Sequence, residues 1–251
     1  MAVCQCRFYS DVLEKMCSAH VILPEGPDLP ERFPVLWLLH GLSDDDSTWC
    51  RRTAIERHVS GLPLAVVMPD GGRSFYSDMA AGPKYWTFLS EELPAVMRRY
   101  FPLSDKREEN FAGGNSMGGY GGVKLALRHP DRYSAAITLS GALDMAAWPE
   151  HQRDNESNMA MFRSVWGTVE RMRENGDDLM CEVENAASRG PLPRIFQACG
   201  TEDFLWADNL RFRDAAEKAG LDVTMVSAPG GHDWDFWDEH IAQGIRWLGL
   251  K

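Results

Sequence analysis

The sequence lacks an apolar run close to the roughly 18 residues that a membrane-spanning helix needs, and its N-terminal stretch MAVCQCR lacks the apolar core of a secretory signal. Basic residues are also scarce, since 26 Lys and Arg stand against 37 Asp and Glu for a formal net charge of −11. Phosphate binding needs clustered cationic side chains. We therefore expect a cytoplasmic protein with neither a nucleic-acid partner nor a membrane partner.

Cysteine pairs of the metal-binding kind are missing too. The chain has six cysteines, but none forms a C-x-x-C pair and no histidine cluster accompanies them. A zinc site or a disulfide scaffold would need such spacing. We therefore predict free thiols in a reducing compartment and no metal site.

What the sequence does contain is a regular alternation of short apolar runs with longer segments of helical periodicity. The run LWLL at 36–39 is apolar on both faces, which is typical of a central parallel strand covered by helices on both sides. The predicted strands are 19–23, 35–40, 64–68, 110–114, 134–139, 194–199 and 223–228. The alternation predicts one α/β domain over residues 1–251, with a mainly parallel central sheet flanked by helices.

The segment at about 143–193 interrupts the alternation, because it is polar, charged and rich in Met and Trp. We interpret it as a helical insertion over one edge of the sheet. Two alternatives stay open: the insertion is a lid over a functional site, or it is a surface excursion without a role in chemistry.

A candidate nucleophile lies at the end of the predicted strand 110–114. Residues 114–118 (GNSMG) match G-x-S-x-G, and a helix is predicted from Met117 to about Arg128. A serine between strand and helix in this motif occupies a nucleophile elbow, a tight turn that exposes its hydroxyl. The turn also places Ser116 at a helix N-terminus, where the dipole favours developing negative charge. We therefore predict that Ser116 is a nucleophile.

A serine nucleophile needs a base. In proteins with this elbow the partners follow in the order serine, acid, histidine, which leaves His129, His151, His232 and His240. His129 closes the elbow helix, His151 lies in the insertion and His240 lies within a predicted helix. His232 follows the last predicted strand, at the carboxyl edge where open α/β sheets place their sites. We predict His232 as the base.

The acid that orients the base should follow the preceding strand, 194–199. Glu202 and Asp203 both lie there, in the run GTEDF. Either carboxylate could hold the imidazole tautomer and stabilise the imidazolium. We prefer Asp203, and Glu202 stays open as the alternative.

Two backbone N–H groups should stabilise the oxyanion of an acyl-transfer reaction. One follows the nucleophile and belongs to Met117. The other comes from the turn after the strand 35–40 in proteins of this kind, and here we assign it to Leu42, which follows Gly41.

Ring side chains occupy the loops that should meet at this site. We assign six of them to a substrate pocket, with a core position as the alternative for each: His40, Trp49, Tyr76, Trp86, Phe204 and Trp234. For His40 we favour a residue that packs beside the site.

Five segments together carry a family resemblance: LHGLS at 39–43, MPDGGRSFY at 68–76, SMGGYG at 116–121, CGTEDF at 199–204 and GHDW at 231–234. They resemble the Putative esterase family of α/β-hydrolases, which includes tributyrin esterases, S-formylglutathione hydrolases (esterase D), feruloyl esterases and acetylxylan esterases. The resemblance extends over roughly 19–142 and 194–247. Asn115, just before the nucleophile, departs from the residue expected in the family.

The resemblance implies the α/β-hydrolase fold and the triad Ser116, Asp203 and His232, with Leu42 and Met117 as oxyanion donors and with no metal or other cofactor. It implies a serine carboxylesterase that hydrolyses short-chain acyl esters, including those of acetylated or feruloylated carbohydrates. The alternatives are an S-formylglutathione hydrolase, which is a thioesterase, and an acyltransferase on the same fold. The expected partner is a small ester substrate, and the oligomeric state, including a homo-oligomer, stays open.

Overall fold

The computed structural model describes residues 1–250. Within them the chain forms one eight-stranded sheet in the order β1-β2-β4-β3-β5-β6-β7-β8. The strands β1 and β2 pair antiparallel, as do β2 and β4, and every other neighbouring pair is parallel. The bounds are β1 Ala2–Ser10, β2 Lys15–Leu23, β3 Val35–Leu39, β4 Ala65–Pro69, β5 Asn110–Asn115, β6 Ala135–Leu139, β7 Arg194–Gly200 and β8 Asp222–Ala228.

Helices cover both faces of this sheet, as predicted. Along β3, Trp37 packs into the core on one face while Leu36 and Leu38 pack into the other, because successive side chains of a strand point to opposite faces. The helices are α1 Thr48–Arg52, α2 Ile55–His58, α3 Tyr85–Thr87, α4 Leu93–Tyr100, α5 Met117–Arg128, α6 Trp148–His151, α7 Glu156–Val165, α8 Val169–Glu174, α9 Leu179–Arg189, α10 Trp206–Lys218 and α11 Trp234–Trp247. A π-helical turn, Phe88–Glu92, joins α3 to α4.

One strand, β1, has no counterpart in the sequence prediction. It pairs only with β2, residue for residue from Ala2 opposite Leu23 to Ser10 opposite Lys15. As an edge strand it keeps one face towards solvent, and its alternating polar residues carry little hydrophobic signal. The hairpin partner β2 also begins at Lys15, before the predicted residue 19, for the same reason.

The predicted insertion at about 143–193 is helical and contains α6, α7, α8 and α9. It packs on α5, where the buried Lys124 ammonium forms an ion pair with Asp177. The Tyr120 hydroxyl donates to the Asp177 carbonyl at 2.6 Å. The insertion is therefore attached to the same helix that begins at the predicted nucleophile.

Among residues 1–250, no helix combines the length and the apolar character needed to cross a membrane.

Candidate active site

Ser116 lies on a strained turn between β5 and α5. Its φ of 53° and ψ of −117° are rare for a residue with a side chain. A Cβ atom on Gly114 or Gly118 would come within 2.2 Å of the Leu39 carbonyl oxygen. The elbow therefore requires glycine at both positions, and the packing of β3 against it fixes where the Ser116 hydroxyl points.

The structure brings Ser116, His232 and Asp203 together from three separate strand ends. His232 Nε2 lies 3.0 Å from Ser116 Oγ. On the other side of the ring, His232 Nδ1 lies 2.9 Å from Asp203 Oδ2 and 3.1 Å from Oδ1. An Nδ1–H that donates to the carboxylate leaves Nε2 as an acceptor for the serine proton, which is the arrangement a general base requires.

Asp203 follows β7, and its side chain is completely buried. Burial alone would raise the pKa of Asp203, but the hydrogen bond and the charge of His232, the Leu205 N–H and the Ser140 hydroxyl hold it below the usual value. The carboxyl group is therefore ionised and able to orient the imidazole.

Glu202, the alternative acid, lies elsewhere. Its Oε2 accepts from the Gly230 N–H at 2.9 Å, in the loop that leads to His232. That contact braces the loop, while Asp203 makes the contact with the imidazole.

The turn after β3 leaves the predicted donor, the Leu42 N–H, without a backbone acceptor among the described residues. His40 Nδ1 donates to the Gly41 carbonyl at 2.7 Å, and His40 Nε2 accepts from the Gly71 N–H at 2.8 Å. In a trans peptide the C=O and the following N–H point in opposite directions, so this bond turns the Leu42 N–H away from His40. Among residues 1–250, no backbone carbonyl accepts that N–H.

The second predicted donor, the Met117 N–H, belongs to the first residue of α5. The first N–H groups of a helix have no intrahelical acceptor. Both predicted donors, the Leu42 N–H after β3 and the Met117 N–H at the start of α5, are therefore available for a substrate oxygen.

A cavity of about 670 Å³ opens at Ser116 and His232. Of the six predicted pocket residues, Phe204 and Trp234 line it. The other lining residues come from the segments after β3, β4, β6 and β7, from the elbow, from the insertion and from α11: Gly41, Leu42, Ser43, Asp44, Phe75, Asn115, Ala142, Trp148, Gln152, Asn158, Leu205 and Trp237.

Three of the other predicted pocket residues are buried behind the cavity and support its wall. His40 holds the Gly41 carbonyl. The Tyr76 hydroxyl donates to the His40 carbonyl at 2.9 Å, and Trp49 Nε1 donates to the Leu39 carbonyl at 3.0 Å. Assigning Trp49 and Tyr76 to the pocket was wrong, because both side chains are buried in the core. His40 packs beside the site, which is the position that we favour for it from the sequence.

The prediction that Trp86 lines the pocket was also wrong. Its ring stacks on His129 with centroids 5.5 Å apart, near the C-terminal end of α5. The Lys124 ammonium lies 4.4 Å from the centroid of the same ring. These contacts place Trp86 at the end of α5 remote from the elbow.

Three further lining residues belong to the insertion and were not predicted from the sequence: Trp148, Gln152 and Asn158. No motif marks them, because their place depends on how the insertion folds back over the sheet. Trp237 could have been found, since it lies three residues after Trp234 and thus on the same side of α11.

One corner of the cavity is polar. The side chains of Asn115 and Asp44 both approach Gly41, each about 3 Å from where a Cβ of that glycine would be. Among the described residues, the buried Asn115 Oδ1 has no hydrogen-bond partner. Asn115, which departs from the family pattern, therefore borders the cavity directly beside the nucleophile.

Comparison with known proteins places the chain in a family. Residues 10–248 match the family described as Putative esterase. The chain belongs to this family. The resemblance seen in the sequence is thereby confirmed.

Members of known activity align over almost the whole chain. The acetyl esterase of Caldicellulosiruptor saccharolyticus is 33% identical over 261 residues, which cover 99% of this chain and 98% of that protein. Two Staphylococcus aureus structures each cover 98% of both chains. The fluorophosphonate-binding serine hydrolase FphF superposes with a TM-score of 0.88 at 32% identity, and the S-formylglutathione hydrolase FrmB with 0.86 at 33%.

These likenesses confirm the predicted α/β-hydrolase fold. They also establish that this member of the Putative esterase family is an ester-hydrolysing enzyme.

Proposed function

We propose that the protein is a serine carboxylesterase that hydrolyses short-chain acyl esters through Ser116, His232 and Asp203. The observation that carries the proposal is the continuous hydrogen-bonded chain from Ser116 Oγ through His232 to Asp203, with contacts of 3.0 and 2.9 Å. Three segments that are distant in the sequence contribute one group each. Ser116 and His232 line the cavity, and Asp203 is buried behind the imidazole.

The reaction proceeds in two acyl-transfer steps. His232 takes the proton of Ser116, and the serine oxygen attacks the ester carbonyl. The N–H groups of Leu42 and Met117 stabilise the oxyanion, and His232 then protonates the departing alcohol. Water repeats the sequence on the acyl-enzyme. Asp203 keeps the proton on Nδ1 and stabilises the imidazolium that forms in both steps.

The size and lining of the cavity suit an ester with a small acyl group and leave room for different alcohol groups. Its volume of about 670 Å³ is walled largely by rings, among them Phe75, Trp148 and Trp237. The polar corner of Asp44 and Asn115 suits a hydroxylated alcohol such as an acetylated or feruloylated carbohydrate. The acetyl esterase named above supports the same choice of acyl group.

The direct test is hydrolysis of p-nitrophenyl acetate and butyrate by the purified protein. We expect ready turnover by the wild type, and we expect Ser116→Ala to lose nearly all of it while keeping the melting temperature. A fluorophosphonate probe should label the wild type and leave Ser116→Ala unlabelled. Absence of both turnover and labelling in a folded wild type would contradict the proposal.

A second candidate, S-formylglutathione hydrolase, is favoured by the likeness to FrmB. The same chemical groups act on a thioester. Comparing kcat/KM for S-formylglutathione with that for p-nitrophenyl acetate separates the two functions. Product analysis with added sugar or alcohol acceptors tests the acyltransferase alternative in the same preparation, because transfer in excess over hydrolysis would favour it.

A further inference from the structure

A second cavity adjoins the one at Ser116. Its volume is about 290 Å³, and the two cavities share three lining residues: Ser43, Asp44 and Trp234. The rest of its lining comes from α1 and the segment before it: Asp45, Thr48, Arg51 and Arg52. Because the cavities have part of their wall in common, a ligand that fills the first can extend into the second. The reaction described above assigns no role to this space.

The alcohol part of an ester is the part that can extend into the second cavity. The acyl group proposed for the substrate is short, so the larger remainder of an ester bound at Ser116 is its alcohol. An alcohol with a side group beyond the ester oxygen can pass along the shared wall at Asp44 and Trp234. The chemistry of the second cavity therefore bears on which alcohols the enzyme accepts.

Arg52 presents a guanidinium group beside the shared wall. Its Cζ atom lies over the Trp234 ring, 6.0 Å from the centroid. A guanidinium group that stacks on an aromatic ring keeps the N–H groups in its plane available for a carboxylate. Arg52 is exposed, and among residues 1–250 it forms no ion pair. Its donors are therefore open to a ligand.

The neighbouring charges at the start of α1 are engaged with one another. Asp45 Oδ1 accepts from the Ser47 N–H at 2.9 Å and from the Ser47 hydroxyl at 2.6 Å. Arg51 donates to Ser47 Oγ at 3.3 Å. The hydrogen bonds from Ser47 and the charge of Arg51 lower the pKa of Asp45, which is therefore ionised and partly balances Arg51. Arg52 is the cation that remains for a ligand.

Acceptors and this cation occupy different parts of the combined space. Asp44 borders both cavities, whereas Arg52 lines the second cavity and not the first. A ligand that runs from Ser116 into the second cavity therefore meets a carboxylate first, which accepts hydrogen bonds, and then a guanidinium group, which donates them. Hydroxyl or amide N–H groups suit the first position, and a carboxylate suits the second, because charge-assisted bidentate bonds to arginine are strong.

We propose that the second cavity is a subsite for a carboxylate on the alcohol part of the ester, with Arg52 as the residue that determines this specificity. The ester carbonyl lies at Ser116, polar N–H or O–H groups of the alcohol donate to Asp44, and the carboxylate accepts from the Arg52 guanidinium. A sugar acid has this chemistry, and so does a peptide thiol in a thioester. The proposal rests on the function proposed for Ser116, His232 and Asp203.

The test uses two acetate esters that differ in charge, those of p-hydroxyphenylpropionate and of the corresponding amide. The propionyl chain separates the charge from the phenol oxygen, so both ester bonds have similar reactivity. The charge preference is the ratio of kcat/KM for the carboxylate to kcat/KM for the amide. We expect the wild type to prefer the carboxylate and Arg52→Gln to lower the preference about tenfold, the scale of a hydrogen bond to a charged group.

Arg57→Gln is the matched control, because it removes the same charge from an exposed residue of α2 that does not line the second cavity. It should keep the charge preference within about twofold of the wild type. Arg52→Lys keeps the charge but not the planar fork and should give an intermediate preference. Added salt should lower the preference of the wild type, since it screens exposed charges. An unchanged preference in Arg52→Gln, or an equal fall in Arg57→Gln, would overturn the subsite.

Two further substrate pairs distinguish the sources of the carboxylate. S-Formylglutathione against a neutral formyl thioester represents the peptide thiol, and acetylated glucuronic acid against acetylated glucose represents the sugar acid. The pair whose preference falls more in Arg52→Gln identifies the source. A wild type that hydrolyses the amide ester but shows no charge preference in any pair would overturn the subsite alone. Failure to hydrolyse any of these esters, or full activity of Ser116→Ala, would overturn the proposed function.

Discussion

The loops at the carboxyl edge of the sheet and the insertion at 143–193 both line the cavity, but they are held in different ways. The loops bind one another directly, as in the Ser116–His232–Asp203 chain and the Ser116–Ala142 backbone bond. The insertion is anchored at its far end, where Asp177 meets Lys124 and Tyr120 on α5.

The part of the insertion that faces the cavity, residues 148–158, forms no hydrogen bond with the sheet or its strand-end loops among the described residues. Asn158 Nδ2 donates to Gln152 Oε1 at 2.8 Å. In the described chain, the hydrogen bonds of residues 148–158 all stay within the insertion. The sheet therefore fixes the chemistry, while a more loosely held wall shapes the substrate space.

The largest expected effect is on kcat and concerns Asp203, in a loop at the carboxyl edge of the sheet. Asp203→Asn should lower kcat by about 10⁴-fold, because an amide no longer holds the proton on His232 Nδ1. Steady-state hydrolysis of p-nitrophenyl acetate measures it. Glu202→Gln is the matched control and should stay within a few-fold of the wild type, since Glu202 braces the loop through Gly230. Equal rates for Asp203→Asn and the wild type would refute the assignment of the acid.

The next effect lies at the anchor of the insertion. Lys124→Met leaves the buried Asp177 carboxylate without its ion pair, which should lower the free energy of unfolding by about 3–5 kcal/mol. Urea denaturation measures the loss. Lys106→Met, which removes an exposed lysine, should change the same quantity by less than about 0.5 kcal/mol. A comparable small change for Lys124→Met would mean that the insertion does not depend on this pair.

The C-terminal end of α5, near the anchor of the insertion, should also make the stability of the protein sensitive to acid. Burial, with help from Arg132 and Arg128, lowers the pKa of His129 to about 4, against about 6.5 in the unfolded chain. Since the unfolded state binds the proton more readily, stability falls as the pH drops from 7 towards 4, by about 3 kcal/mol at most.

Denaturation at pH 7 and at pH 4.5 tests this difference between wild type and His129→Phe, which keeps a ring to stack on Trp86. The variant should lose less stability over that interval. An identical loss in both proteins would show that other groups carry the acid sensitivity. The low pKa of Asp203 acts in the same sense at lower pH, because the unfolded chain also protonates this carboxyl group more readily than the folded protein does.

The smallest expected effect concerns the cavity wall. Trp148 lines the cavity and packs edge-on against Phe75 with centroids 6.5 Å apart. Trp148→Ala should raise KM for p-nitrophenyl butyrate about fivefold, which corresponds to about 1 kcal/mol of lost contact, with kcat changed much less. Glu150→Gln, on the same short helix and exposed, should leave KM unaltered. A fall in kcat with constant KM would instead give the insertion a part in the chemistry.

Much of the candidate site could be predicted because each group lies at a strand end that local sequence patterns reveal. The glycines around Ser116 mark the elbow, and His232 follows the last apolar run. The family and the fold are confirmed, while the roles of Ser116, Asp203 and His232 stay predictions for the variants above to test.

By itself, the sequence determined seven of the eight strands in chain order, the glycine-bounded turn at Ser116 and the family to which the chain belongs. These depend on local periodicity and on backbone sterics, which act between residues close in the chain. Only the tertiary structure decided that Asp203 meets the imidazole, that His40, Trp49 and Tyr76 stand behind the cavity and that Trp148 faces it. Those placements arise from packing between segments far apart in sequence, where a side chain's direction depends on what already occupies the space.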